Sequence, residues 1–286
     1  MAHCSMFPYG FLAVLVPGAT IGVLALTAGL GGAKAQAADP FAIRQVALPE
    51  LSALPTPPPG ARAGNISVVE AETTGMNAAV GQYGAGNRAG ILAVGASISL
   101  RIGQDGQRNA AALSIDGIGI AADVAQTGED NLLRAGLGGD GHLMAVNQFG
   151  FANVALIALD GMAHTVRLDQ FGASIASVAQ NGQGHVAALS QGTGNWLATV
   201  QEGIGNHLTI GQEGPGNFAD IGQYGESNRL DVIQRGGNNL LNYTQIGNGL
   251  TGIDPLSGGP GAVVQEGGQA LEIVQTGSLP VSVTQR

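Results

Sequence analysis

The sequence predicts an all-β fold: a β-helix-like solenoid of stacked strand-turn-strand coils. Three observations carry that prediction: a glycine column, a glutamine column locked to it, and a two-residue alternation between them. Gly84, Gly95, Gly106, Gly117, Gly128, Gly139, Gly150, Gly161 and Gly172 keep an 11-residue step, which Gly203, Gly214, Gly225, Gly236 and Gly247 resume. Gln82, Gln104, Gln126, Gln148 and Gln170 stand 22 residues apart, and Gln180, Gln191, Gln201, Gln212, Gln223, Gln234 and Gln245 follow at steps of ten or 11. The unit is therefore an 11-residue half-repeat, and two units make a 22-residue rung.

One clean unit reads Gln212-Glu-Gly-Pro-Gly-Asn217-Phe-Ala219-Asp-Ile221-Gly, with Gln223 opening the next. Asn217, Ala219, Ile221 and Gln223 fall on alternate positions, and side chains two apart leave a strand on the same face. Each unit thus reads as a strand of about five to seven residues, closed by a turn whose glycine supplies positive φ. Two units form a flat coil around a thin core. Coils stacked at roughly 4.7 Å pair every backbone N–H and C=O with the coil above or below, for about ten rungs in all.

An unpartnered buried amide costs on the order of 1–3 kcal/mol, and stacking identical amides in register removes that cost. The expected ladder-forming residues are Gln82, Asn87, Gln104, Asn109, Gln126, Asn131, Gln148, Asn153, Gln170, Gln201, Asn206, Gln212, Asn217, Gln223, Asn228, Gln234, Asn239 and Gln245.

The order Gln212-Glu-Gly-Pro-Gly-Asn217-Phe-Ala219-Asp-Ile-Gly-Gln223 resembles the curlin repeat of bacterial curli fibres, and the phased pattern extends from about residue 66 to the C-terminus. The resemblance implies export through an outer-membrane curli pore. It also implies assembly with itself and other curlin subunits into cross-β amyloid fibres on the cell surface, serving biofilm matrix, adhesion and aggregation. Two departures bear on whether this is a major or a minor, nucleating subunit. Slots that commonly hold Ser in the family hold Ile98, Ile120, His142 and His164, and the units at 93, 115, 137 and 159 replace Gln by Ala, Ile, Leu and Leu.

In chain order, the apolar stretch Phe11 to Leu30, followed by Ala35-Gln36-Ala37, reads as a secretory signal peptide over 1–37, with a membrane anchor as its rival. Cleavage there removes Cys4 and Lys34, the only cysteine and the only lysine, so neither disulfides nor thiol catalysis are expected. Residues 38–64, with Pro55 and Pro57 to Pro59, read as a flexible Pro-rich segment, and 65–286 as the repeat solenoid. The phase slips between Leu250 and Ala262, and the final units at Gln265 and Gln275 lack the asparagine, as in a looser cap.

Composition narrows the function further. The 286 residues include 48 glycines, 4% aromatics and 11% charged residues, with net charge −9 and no basic run, which argues against a nucleic-acid partner. Asp116, Asp160, Glu202 and Glu213 are scattered singly beside turn glycines, so no catalytic site and no cofactor are expected. His142, His164 and His185 share one column and read as occupants of an asparagine slot rather than metal ligands; Gly138-Gly139-Asp140-Gly141 occurs once and is no calcium repeat. The alternative to a fibre subunit is a monomeric secreted solenoid that acts as an adhesin or ligand-binding module, but the outward His207, Thr209, Phe218, Asp220, Arg229 and Asp231 form no repeated array.

Overall fold

The computed structural model describes residues 64–252 and 262–277, with the backbone alone for 282–285. The expected signal peptide, most of the Pro-rich segment and Asp254-Pro255 lie outside the described residues. The chain alternates between two sheets until its last described strand, which stays in the same sheet as the strand before it. One contains β1 (Ile66–Thr74), β3 (Arg88–Ala96), β5 (Ala110–Ile118), β7 (Leu132–Asp140), β9 (Val154–Met162), β11 (Ile175–Gln183), β13 (Trp196–Ile204), β15 (Phe218–Glu226), β17 (Leu240–Ile246), β19 (Ala270–Thr276) and β20 (Ser282–Gln285). The other contains β2 (Asn77–Ala85), β4 (Ser99–Gln107), β6 (Ala121–Glu129), β8 (Leu143–Phe151), β10 (Thr165–Phe171), β12 (Val186–Gln191), β14 (His207–Gln212), β16 (Arg229–Arg235) and β18 (Val263–Glu266). All pairings are parallel except β19 with β20.

This is the β-solenoid that the repeat predicts, with rungs of about 22 residues, and the structure corrects three details. Strands β1 to β16 form eight regular two-strand coils, fewer than the about ten rungs expected. Beyond them, residues 251–262 displace the register: Gln234 meets Gln265, 31 residues on, and β20 turns back antiparallel. Most strands are nine residues long, because parallel pairing continues through the glycine of the corner, as in Gly95↔Gly117. The last units are not loose: Gln265 is fully buried and Gln275 is 8% exposed.

Inward positions follow the alternation. Ala89, Ile91 and Ala93 of β3 face Leu100 and Ile102 of β4 and are buried, while Arg88 and Gly90 turn out. Volume is balanced within a strand: Leu133-Arg-Ala135 on β7 reverses the small-large order of Ala111-Ala-Leu113 and Ala155-Leu-Ile157 in the coils beside it, and all six inward residues are fully or almost fully buried. The steps of ten in the glutamine spacing also find their cause. Pairings between Thr165↔Val186 and Ile175↔Trp196 run 21 residues apart because the corners at Gln170–Ser174 and Gln191–Asn195 are one residue shorter than Gln148–Asn153. A deletion inside a strand would turn every side chain to the wrong face; one in a corner leaves the phase intact.

Corner glycines occupy two positions, for different reasons. A Cβ on Gly139 would overlap the carbonyl of Gly161 one coil away, and Gly117 shows the same clash with Gly139 without any positive φ. Gly139 also has φ 102°, so close approach between coils adds to backbone torsion in selecting this glycine. Gly141 has φ 70° and space for a Cβ, with its nearest neighbour at 3.9 Å. Its equivalents Ser97, Arg108, Asp130, Ala152 and Ala163 adopt φ between 54° and 57° with side chains in place. Gly139→Ala should therefore cost about 3 kcal/mol, the upper end of overpacking, and Gly141→Ala only about 1 kcal/mol, the cost of a left-handed alanine. Denaturant midpoints of the two variants, compared under one condition, check the order.

Candidate functional site

The second sheet carries an unbroken glutamine ladder. Each side-chain Nε2 donates to Oε1 of the next coil: Gln82 to Gln104 (2.7 Å), Gln104 to Gln126 (2.6 Å), Gln126 to Gln148 (2.7 Å) and Gln148 to Gln170 (2.9 Å). It continues from Gln170 to Gln191 (3.0 Å), Gln191 to Gln212 (3.0 Å), Gln212 to Gln234 (2.8 Å) and Gln234 to Gln265 (2.7 Å). The other Nε2 hydrogen crosses the coil to a backbone carbonyl, such as Arg88 for Gln104 and Trp196 for Gln212. Both amide protons are thus used in the interior. The first sheet has a shorter ladder, from Gln180 through Gln201, Gln223 and Gln245 to Gln275. Below it the same slot holds Ala93, Ile115, Leu137 and Leu159. At this junction Gln180 Oε1 faces the apolar column and is buried without a hydrogen-bond partner.

The asparagines work differently from the side-chain-to-side-chain ladder that the sequence suggests. Asn87, Asn109, Asn131, Asn153, Asn217 and Asn239 sit at the corner entering the first sheet, and Asn206 and Asn228 at the corner entering the second. Their Oδ1 accepts the backbone N–H of the equivalent residue one coil on, as in Asn109 to Asn87 (3.0 Å) and Asn239 to Asn217 (3.1 Å). Their Nδ2 donates to the carbonyl four residues back and to a glycine carbonyl of the next coil; Asn87 reaches Tyr83 (2.7 Å) and Gly106 (3.0 Å). Direct Nδ2–Oδ1 bonds are made only in part of the column, as from Asn131 to Asn109. The side chain is one methylene shorter than glutamine, so it satisfies the backbone groups that the bend leaves over. Ser174, Asn195 and Gln269, absent from the expected ladder set, hold the same column together.

The histidines imitate asparagine atom for atom. His142, His164 and His185 are fully buried and stacked, with ring centroids 5.0 Å apart and planes within 6°. Nδ1 of each accepts the backbone N–H of the next coil: His164 to His142 (3.2 Å), His185 to His164 (3.3 Å) and Asn206 to His185 (3.1 Å). Nε2 lies 2.9 to 3.0 Å from the carbonyls of Gly138, Asp160 and Asn181, and a carbonyl only accepts. These partners assign the neutral tautomer protonated at Nε2 and leave no ring lone pair for a metal. Among the described residues no group of three or more His, Cys, Asp or Glu is gathered around a metal position.

Burial pushes His164 from its ordinary 6.5 down to about 4, with His185 and His142 acting in the same direction. Burial also lowers His185. Outward-facing side chains stack as well, with Phe149 on Phe171 at 5.6 Å and Trp196 on Phe218 at 4.2 Å.

Buried His164 makes stability depend on acid. On lowering the pH the unfolded imidazole of His164 takes its proton near 6.5 and the folded one only near 4, so stability is full above the first value and declines between the two. Denaturant midpoints measured across that window should fall for the natural chain and fall less steeply in His164→Asn, which keeps the hydrogen bonds of the slot and leaves His185 in place. The glutamine junction gives a second expectation. Gln180→Leu moves the boundary by one coil and should change stability by less than about 1 kcal/mol. Gln201→Leu strands one donor and one acceptor and should cost about 1–3 kcal/mol for each, as read from equilibrium denaturation.

Residues 203–236 match the family model of the curlin associated repeat. No curated protein and no solved structure matches the chain. The matched stretch runs from the Gly203 corner through β14, β15 and β16 and holds Gln212, Asn217, Gln223, Asn228 and Gln234. The chain thus carries the curlin associated repeat over residues 203–236, and the coils beside it continue its columns in register, with Gln191, Asn195 and Gln201 before it and Asn239 and Gln245 after it.

Proposed function

We propose that this chain is an exported, non-catalytic structural subunit that assembles into curli-like cross-β fibres at the cell surface, where the fibres serve adhesion and biofilm matrix. The observation that carries the reading is the ladder itself: eight consecutive side-chain bonds from Gln82 to Gln265 run along a parallel stack that ends, at β2, in a strand whose outer edge has no partner among the described residues. Such an edge is a template for another chain, and identical amides stacked in register are the hallmark of cross-β assemblies. The match to the curlin repeat supports the same class.

In this reading residues 1–37 direct export and are removed, and 38–64 tether the repeat region. The glutamine and asparagine columns named above hold coils in register within and between subunits. The partners are further copies of the chain, other curlin subunits and an outer-membrane export pore. The apolar slots at Ala93, Ile115, Leu137 and Leu159 make a minor or nucleating subunit as consistent with the sequence as the major one. A monomeric solenoid module is the second reading, and the observation in its favour is that β20 closes one edge of the first sheet.

Purified chain held at micromolar concentration without denaturant should bind thioflavin T after a lag and give fibre reflections near about 4.7 and about 10 Å. A persistently monomeric protein would move the assignment to the second reading.

A further inference from the structure

The two ends of the stack are unlike. At the N-terminal end β1 and β2 are the outermost strands of their sheets, so two nine-residue edges have no partner among the described residues. Their inward side chains stand uncovered: Val69 is 46% exposed, whereas Ile91, its partner in the next coil, is 3% exposed. Ser67, Ala71 and Ala78 are likewise exposed where Ala89, Ala93 and Leu100 are buried. Among the described residues this is a cut surface of the core rather than a finished end.

At the C-terminal end the inward residues are covered. Leu271 is 3% exposed, and Ile273 and Gln265 are fully buried. Here β20 occupies the edge of β19 through four pairs, from Leu271↔Gln285 to Val274↔Ser282, in the one antiparallel pairing among the described strands. An antiparallel strand is a poor template for further parallel coils, because its hydrogen bonds come in close and wide pairs rather than at even spacing.

The ladder adds direction. In every glutamine bond the earlier coil donates and the later coil accepts. Gln82 donates to Gln104, and no described group donates to its own Oε1, so the N-terminal face presents an acceptor. At the far end Gln265 spends its Nε2 protons on the carbonyls of Leu240 and Gln269. The Gln269 bond is the one that an Oε1 of a following coil replaces. Two N-terminal faces brought together would set acceptor against acceptor and reverse the strand direction. The complementary surface is the C-terminal layer of another copy.

We infer that copies of this chain dock head to tail, with β1 and β2 of one on β19 and β18 of the next, and that β20 is a strap that must leave β19 before the contact forms. This rests on the self-assembly reading above and adds which surfaces meet and what holds them apart.

The test uses the full chain carrying Cys4→Ser. One variant ends at Thr276; a second carries Glu272→Cys with Thr284→Cys, a directly opposed pair of the β19–β20 register. Removing the strap should shorten the thioflavin T lag by about tenfold, as expected when a closed state of modest stability is abolished. The oxidised double variant should stay monomeric in sedimentation velocity and assemble after reduction. A truncated chain no faster than its parent, or an oxidised variant that assembles as fast as the reduced one, overturns the strap. Truncation that gives soluble head-to-tail oligomers without cross-β reflections keeps the docking and overturns the fibre reading alone. Monomers under every condition overturn both.

Discussion

A buried primary amide is tolerated here only because the next coil places another amide one layer away. That single constraint reaches most of the molecule. It requires the same strand register in successive coils, which requires parallel pairing. The corners then impose their own demand: coils approach so closely that the carbonyl of Gly106 fills the space where a Cβ of Gly84 would lie, and the same carbonyl accepts a proton from Asn87. Glycine and asparagine columns are therefore two halves of one contact. A side chain at the glycine would drive the carbonyl away from the amide that holds it.

The boundary at Gln180 shows how local this constraint is. Along the first sheet an apolar column gives way to an amide column with no change of backbone register, and the only trace is one unpaired buried oxygen. Either column packs; the mismatch sits where they meet. The histidine column makes the complementary point from chemistry. Three imidazoles enter a slot used elsewhere by asparagine because they offer an acceptor and a donor at matching positions, and in doing so they introduce a group that acid can charge.

The solenoid and its inward face were legible because both depend on spacing, and spacing survives in a sequence. Gln104 and Gln126 reveal their contact by their separation alone, and His142, His164 and His185 reveal their shared column the same way. What depends on three-dimensional approach was hidden. The separate duties of Gly139 and Gly141 look alike in the sequence, since both are corner glycines. The asparagines were read as copies of the glutamine ladder, although their bonds to Tyr83 or Gly106 carbonyls are set by a bend that no spacing encodes. Gln180 and Gln191, which share the glutamine column but stand outside the expected ladder set, and Gln265 and Gln275, which the sequence suggests as a looser cap, were within reach, because a corner shorter or longer by some residues preserves phase inside the strands. The reversal at β20 had no periodic signal at all.

The shortened corners have one more consequence. Coils of 21 and 22 residues lie side by side with their ladders unbroken, as Gln170, Gln191 and Gln212 demonstrate. Position is thus reckoned afresh in each strand rather than accumulated along the contour, and an error of one residue at a bend does not propagate. The stack behaves as a self-correcting code, in which each layer is checked against its neighbour and the distance travelled between layers is of little account.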